Sequence, residues 1–126
     1  MSLCIIAGGK AVTLAAAAFT LSWTHSVERT EWRETWLLTP AGLELAQAQV
    51  KGSGAGIDPP QDAILEDGWW VYAPALPSLP RLVLAASGAT ASGWQLCIPD
   101  SCMTLGAKPA SPIVIEPCWQ EDQQEN

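Results

Sequence analysis

The single histidine, His25, is followed directly by Ser26 and three positions later by Glu28, and a further carboxylate, Glu34, stands between Trp32 and Trp36. Imidazole is the one side chain whose ordinary pKa lies near neutrality, so beside carboxylates it can move a proton or help to hold an ion. A nucleophilic triad would need the Ser26 hydroxyl within hydrogen-bond reach of His25. On an extended strand adjacent residues point to opposite faces, which argues against such a set, and no catalytic residue is assigned. One imidazole with Glu28 and Glu34 is also a sparse set for zinc, where three protein ligands plus water are usual, so neither a metal nor a cofactor is expected. A metal-dependent module or enzyme using His25 with Glu34 or Glu28 is the alternative reading. A purely structural polar pair that fixes strand register is another.

A second stretch, KGSGAG, offers the backbone N–H groups of Ser53, Gly54, Ala55 and Gly56 with almost no side chains in the way, as anion-cradling loops do. It lacks the Lys-Ser/Thr ending of a P-loop and the spacing of GxGxxG, so it reads first as a flexible turn and only second as an anion site. His25, Ser26, Glu28, Glu34 and residues 53–56 together form the candidate ligand site.

The elements that must position these residues follow from periodicity. Phe19, Leu21, Trp23, His25 and Val27 fall on one face of a strand and Thr20, Ser22, Thr24 and Ser26 on the other, the alternation of a half-buried strand. Glu28 to Thr30 interrupts the pattern and Glu31 to Leu38 resumes it, which predicts a β-hairpin with His25 and Glu34 near each other across its strands. Upstream, SLCIIA (2–7) closes on Gly8-Gly9, predicting a hairpin into one long strand from about Ala11 to Val27. The Ala-rich run LAAAAFTL makes a helix over Ala11 to Leu21 the alternative, but no capping pattern precedes it.

Further strands are expected at 43–50, 63–65, 69–73, 82–86, 94–98, 102–105 and 113–116. They are separated by Thr39-Pro40-Ala41-Gly42, Asp67-Gly68 and Pro99-Asp100 turns, and by a proline-rich crossover bearing Pro74, Pro77 and Pro80. Ten glycines and ten prolines in 126 residues fit many short elements rather than few long ones. The expected fold is therefore all-β, a small antiparallel barrel or sandwich of about eight to ten short strands. Residues 1–118 would form a single β domain, and 119–126 an acidic polar tail. Of the seven tryptophans, Trp23, Trp32 and Trp69 or Trp70 are expected in the core or lining a barrel.

Thirteen acidic against six basic residues leave a formal charge of -7, a field that repels phosphate backbones and excludes nucleic acid as the natural partner. Lys10 followed by AVTLAAAAFTLSW resembles the charged and apolar parts of an export signal. The apolar run is too short to span a bilayer and flows unbroken into the alternating strand, so no transmembrane segment is expected.

Four cysteines stand at Cys4, Cys97, Cys102 and Cys118. Cys97 and Cys102 flank a Pro-Asp turn, and Cys4 and Cys118 lie in apolar runs near opposite ends of the sequence, which suggests one disulfide across a tight turn and one clamping the ends. With no CxxC pair, a four-thiolate zinc site is the weaker reading. The compartment is not fixed by sequence: disulfides would favour the periplasmic face, reduced thiols the cytoplasm.

The blocks SWTHSVERTEWRETW and KGSGAGIDPP resemble the two signature blocks of a bacterial family known as domain of unknown function eighteen-fifty. The family pattern, His-Ser-Val followed by Glu and an aromatic residue and then a Gly-Ala-Gly loop, is matched by His25, Ser26, Val27, Glu34, Trp36, Gly54, Ala55 and Gly56. The resemblance implies context rather than chemistry. Members accompany tripartite ATP-independent periplasmic (TRAP) transporters of the TAXI type, so the expected partners are a TRAP permease or a TAXI solute-binding protein, with a small organic solute. It implies a non-enzymatic accessory or solute-binding role, and many relatives begin with an anchor or export segment that has no clear counterpart here.

Overall fold

The computed structural model describes residues 1–24, 30–51, 60–86, 93–108 and 110–118. These residues form strands β1 (Ser2–Ala7), β2 (Lys10–Ala15), β3 (Ala18–Thr24), β4 (Glu31–Thr39), β5 (Gly42–Lys51), β6 (Ile64–Glu66), β7 (Trp69–Tyr72), β8 (Leu82–Leu84), β9 (Trp94–Ile98), β10 (Ser101–Leu105) and β11 (Ile113–Cys118). They contain no helix. All pairings are antiparallel, in a four-stranded sheet ordered β2-β1-β11-β8 and a seven-stranded sheet ordered β10-β9-β3-β4-β5-β7-β6. The expected all-β sandwich is thus the observed architecture, with eleven strands. No helix among the described residues is long and apolar enough to cross a membrane.

The core lies between the two sheets. Leu3, Ile5, Leu84, Ile113 and Ile115 from the smaller sheet pack against Phe19, Leu21, Trp36, Leu38, Leu43 and Leu96 from the larger one. Each set falls on alternate positions of its strands, which is the period-two pattern that marks a sheet with one buried face. Several of these side chains are completely enclosed, and burying each stabilises the fold by about 1.5–3 kcal/mol.

The turns follow their chemistry. Gly8-Gly9 and Asp67-Gly68 carry positive φ at both central positions (59° and 78°; 51° and 86°), the primed geometry that matches hairpin twist and links β1 to β2 and β6 to β7. Gly42 is required for a different reason. With φ at 128°, a Cβ there would stand 2.4 Å from the carbonyl oxygen of Leu79. That oxygen accepts a hydrogen bond from Leu43 N at 2.7 Å, and Leu79 N donates back to Leu43 O at 2.9 Å. The pair stitches the proline-rich crossover between β7 and β8 onto the sheet, and Ser78 Oγ adds a bond to the Glu44 carboxylate at 3.0 Å.

The single strand expected over Ala11 to Val27 is corrected to two. β2 ends at Ala15 in the small sheet, and β3 begins at Ala18 in the large one. Ala16 and Ala17 make the step between sheets, where small side chains let the chain pass close to both, and Ala17 O accepts from Leu38 N at 2.9 Å. The helix alternative over the same residues is not what forms.

Both expected disulfides are present, Cys4–Cys118 with Cα atoms 5.8 Å apart and Cys97–Cys102 with Cα atoms 4.0 Å apart. The first joins β1 to β11, neighbours in the small sheet, and so ties together strands 114 residues apart. The second bridges directly opposed residues of the β9–β10 hairpin. Its Pro99-Asp100 turn has no positive φ, so it lacks the primed twist of the glycine turns, and the disulfide holds the strands together instead.

Candidate functional site

Of the sequence-derived candidates, Glu34 lies among the described residues. His25, Ser26, Glu28, Ser53, Gly54, Ala55 and Gly56 lie outside them. What is described is how their segments are anchored: residues 25–29 join the end of β3 to Thr30 and the start of β4, and residues 52–59 follow the last residue of β5. Thr24 pairs with Glu31 and Glu31 with Lys51, so both segments leave from neighbouring strands at one end of the large sheet.

Two rungs of that sheet run beneath this end. In the first, the register aligns Trp23 of β3, Trp32 of β4, Val50 of β5, Trp70 of β7 and Leu65 of β6. Trp94 of β9 joins the row: its ring centroid is 4.9 Å from that of Trp23, and Trp23 stacks on Trp32 at 6.2 Å. The Trp94 indole is held by its Nε1, which donates to Ala85 O at 2.9 Å. Trp23, Trp32, Trp70 and Trp94 are all half-buried, unlike Trp36, which is 3% exposed.

The second rung, one step inward, reads Leu96, Leu21, Glu34, Ala48 and Tyr72 across β9, β3, β4, β5 and β7. A carboxylate therefore sits on the apolar face of the sheet, between Leu21 and Ala48, both enclosed. Trp36, two residues along β4 on the same face, donates its indole Nε1–H to Glu34 Oε1 at 3.0 Å. Burial pushes the Glu34 carboxyl above the usual carboxylate range, and the Trp36 hydrogen bond opposes this in part. Tyr72 lies across Ala48 from Glu34, and its hydroxyl is pushed up by burial first and by the Glu34 charge second.

The residue directly across from Glu34 on β3 is Leu21, four positions before His25. The expected cross-strand pairing of His25 with Glu34 therefore has no support from the described part of the ladder. Tyr72 and Trp94 were not singled out from sequence as site residues. They reach the site through pairings of β7 with β5 and β9 with β3, and only the alternation of their own short strands hinted at their faces. Of Trp69 and Trp70, Trp70 takes the inner face. Trp69 lies on the outer face beneath two cations, Arg33 Cζ at 4.5 Å and Lys51 Nζ at 5.6 Å from its ring.

Among the described residues no three His, Cys, Asp or Glu side chains gather as a metal site. A shallow depression of about 250 Å³ opens elsewhere, beside the β9–β10 turn, lined by Ala18, Phe19, Thr20, Thr35, Cys97, Ile98 and Pro99. It has little polar lining and no titratable group.

The chain matches the family model described as Domain of unknown function (DUF1850) over residues 19–105, more than half of its length. The match spans β3 to β10, which includes every strand of the large sheet, while β1, β2 and β11 of the small sheet lie outside it. No curated protein and no solved structure matches the chain.

Proposed function

We propose, from the premise that this chain belongs to the DUF1850 family, that it is a non-enzymatic β-sandwich module that holds a small solute on behalf of a TAXI-type TRAP transport system. Its partners in that reading are the permease or the solute-binding protein. The observation that carries the solute-holding part is the pairing of a half-buried tryptophan row with a desolvated carboxylate, at the sheet end from which both family segments leave. Binding sites are built in this way, mostly apolar and aromatic with one or two fixed polar groups. The transporter part rests on the family resemblance. Two disulfides support work in an oxidising compartment, as a periplasmic partner would require.

The experiment is co-purification of the tagged protein with the TAXI solute-binding protein and with the detergent-solubilised permease, with and without a pool of small organic solutes. A stoichiometric complex, or a solute retained through gel filtration, is the expected result. Absence of both overturns the proposal.

A further inference from the structure

The charge pattern of the same site narrows the solute class, an inference that rests on the solute-holding reading above. Glu34 is half-buried between the enclosed Leu21 and Ala48 and is met by one described hydrogen bond, from Trp36. No cation among the described residues stabilises its charged form. The nearest basic side chains on β4 and β5, Arg33 and Lys51, point to the opposite face, where both sit over Trp69. Arg33 and Lys51 thus sit on an aromatic ring outside the sheet, and among the described residues no cation is placed on the inner-face tryptophans or Glu34.

We infer that the Trp23–Trp32–Trp94 row, backed by Glu34 and Tyr72, takes a small organic cation, an ammonium group carried on a compact apolar body. The faces of tryptophan rings carry negative potential and attract such a group, most strongly where water is excluded. The carboxylate one rung further in would supply the counter-charge, and the ammonium would offset the desolvation that now disfavours the ionised form of Glu34. An anion meets the reverse situation, with a carboxylate behind the rings and a net charge of -7 on the whole chain. A neutral solute of the same shape gains the apolar contact but no charge pairing.

The test compares choline with 3,3-dimethyl-1-butanol, its uncharged isostere, by titration calorimetry and tryptophan fluorescence on the intact oxidised protein. Choline is expected to bind saturably and the isostere at least about tenfold more weakly. Glu34→Gln keeps an acceptor for the Trp36 N–H and should fold, yet should weaken choline by at least about tenfold. Trp23→Phe, which keeps an aromatic core, should weaken it less. Equal binding of choline and its isostere, unchanged binding to Glu34→Gln, or no saturable response to choline overturns the inference. Succinate is the control: if it binds where choline does not, the cation class falls and the solute-holding module stands. If nothing binds and no transporter protein co-purifies, both readings fall.

Discussion

The indole N–H of Trp36 donates to the carboxylate of Glu34 at 3.0 Å, and both side chains lie on the face of the large sheet that packs against the small one. One strand thus supplies a half-buried acid and the donor that steadies it. Because burial raises the Glu34 pKa and the hydrogen bond offsets this only in part, the fold prefers the protonated form.

Stability should respond to pH accordingly. A carboxyl whose folded pKa exceeds the ordinary 4.5 contributes most below that value and loses its contribution as pH rises through the folded pKa. The titratable group facing it among the described residues is Tyr72, which ionises far higher, and the other rung neighbours Leu21, Ala48 and Leu96 carry no charge. Glu34→Gln should therefore melt higher than the parent at neutral pH and level with it below 4.5. Calorimetric melting curves across this range check the point, and a parallel pair of curves would refute it.

Trp36→Phe removes the donor and leaves a small void beside Phe19, whose ring stacks on Trp36 with centroids 6.5 Å apart. The cost should be about 2–4 kcal/mol at neutral pH, part void and part stranded carboxylate. Combining it with Glu34→Gln should recover some of that cost, since the half-buried acceptor no longer carries charge. A double-mutant cycle by urea denaturation measures the coupling, and additive losses would show that the hydrogen bond contributes nothing.

The two disulfides should differ in weight. Cys4–Cys118 closes a loop of 114 residues and Cys97–Cys102 one of 5. On chain entropy alone, their removal as paired alanines should cost about 4–5 and about 2 kcal/mol. Denaturation midpoints of the two double variants would rank them, and the reverse order would mean that unfolded-chain entropy does not set their worth.

Gly42→Ala should be far more damaging than Gly8→Ala. At Gly8 nothing lies within 4 Å of an added Cβ, so only the positive φ is penalised, by about 1 kcal/mol. At Gly42 the new methyl must displace the Leu79 carbonyl and break the paired hydrogen bonds to Leu43, for about 3 kcal/mol or more. Equal losses at the two sites, measured by thermal melting, would mean that the crossover contributes little.

Much of this arrangement was legible from period-two patterning. The bounds of β1 and β9 agree with the sequence reading, and most other strands differ only at their ends. Glu34 could be placed on the tryptophan face because alternation within one strand is local. Its opposite number could not, because register depends on the loop between strands: reading the turn at residues 28–30 brings His25 towards Glu34, whereas the observed pairing of Thr24 with Glu31 brings Leu21. The step between sheets at Ala16-Ala17 carried no glycine or proline to mark it. Tyr72 and Trp94 join the site through strands distant in sequence, which no local pattern encodes.

One irregularity in β5 also shaped what could be read. Thr35 pairs with Gln47 but Trp36 with Leu45, so Ala46 is an extra, exposed residue. On one side of it Leu43 and Leu45 point inward, and on the other Ala48 and Val50 do. β5 is therefore two short ribbons in opposite phase, spliced at a single alanine. Excising Ala46 would splice them into one regular strand with Leu43, Leu45, Ala48 and Val50 all still inward, whereas pairing Ala46 in register instead of bulging it would turn Val50 out to water and swing Lys51 in under the tryptophans.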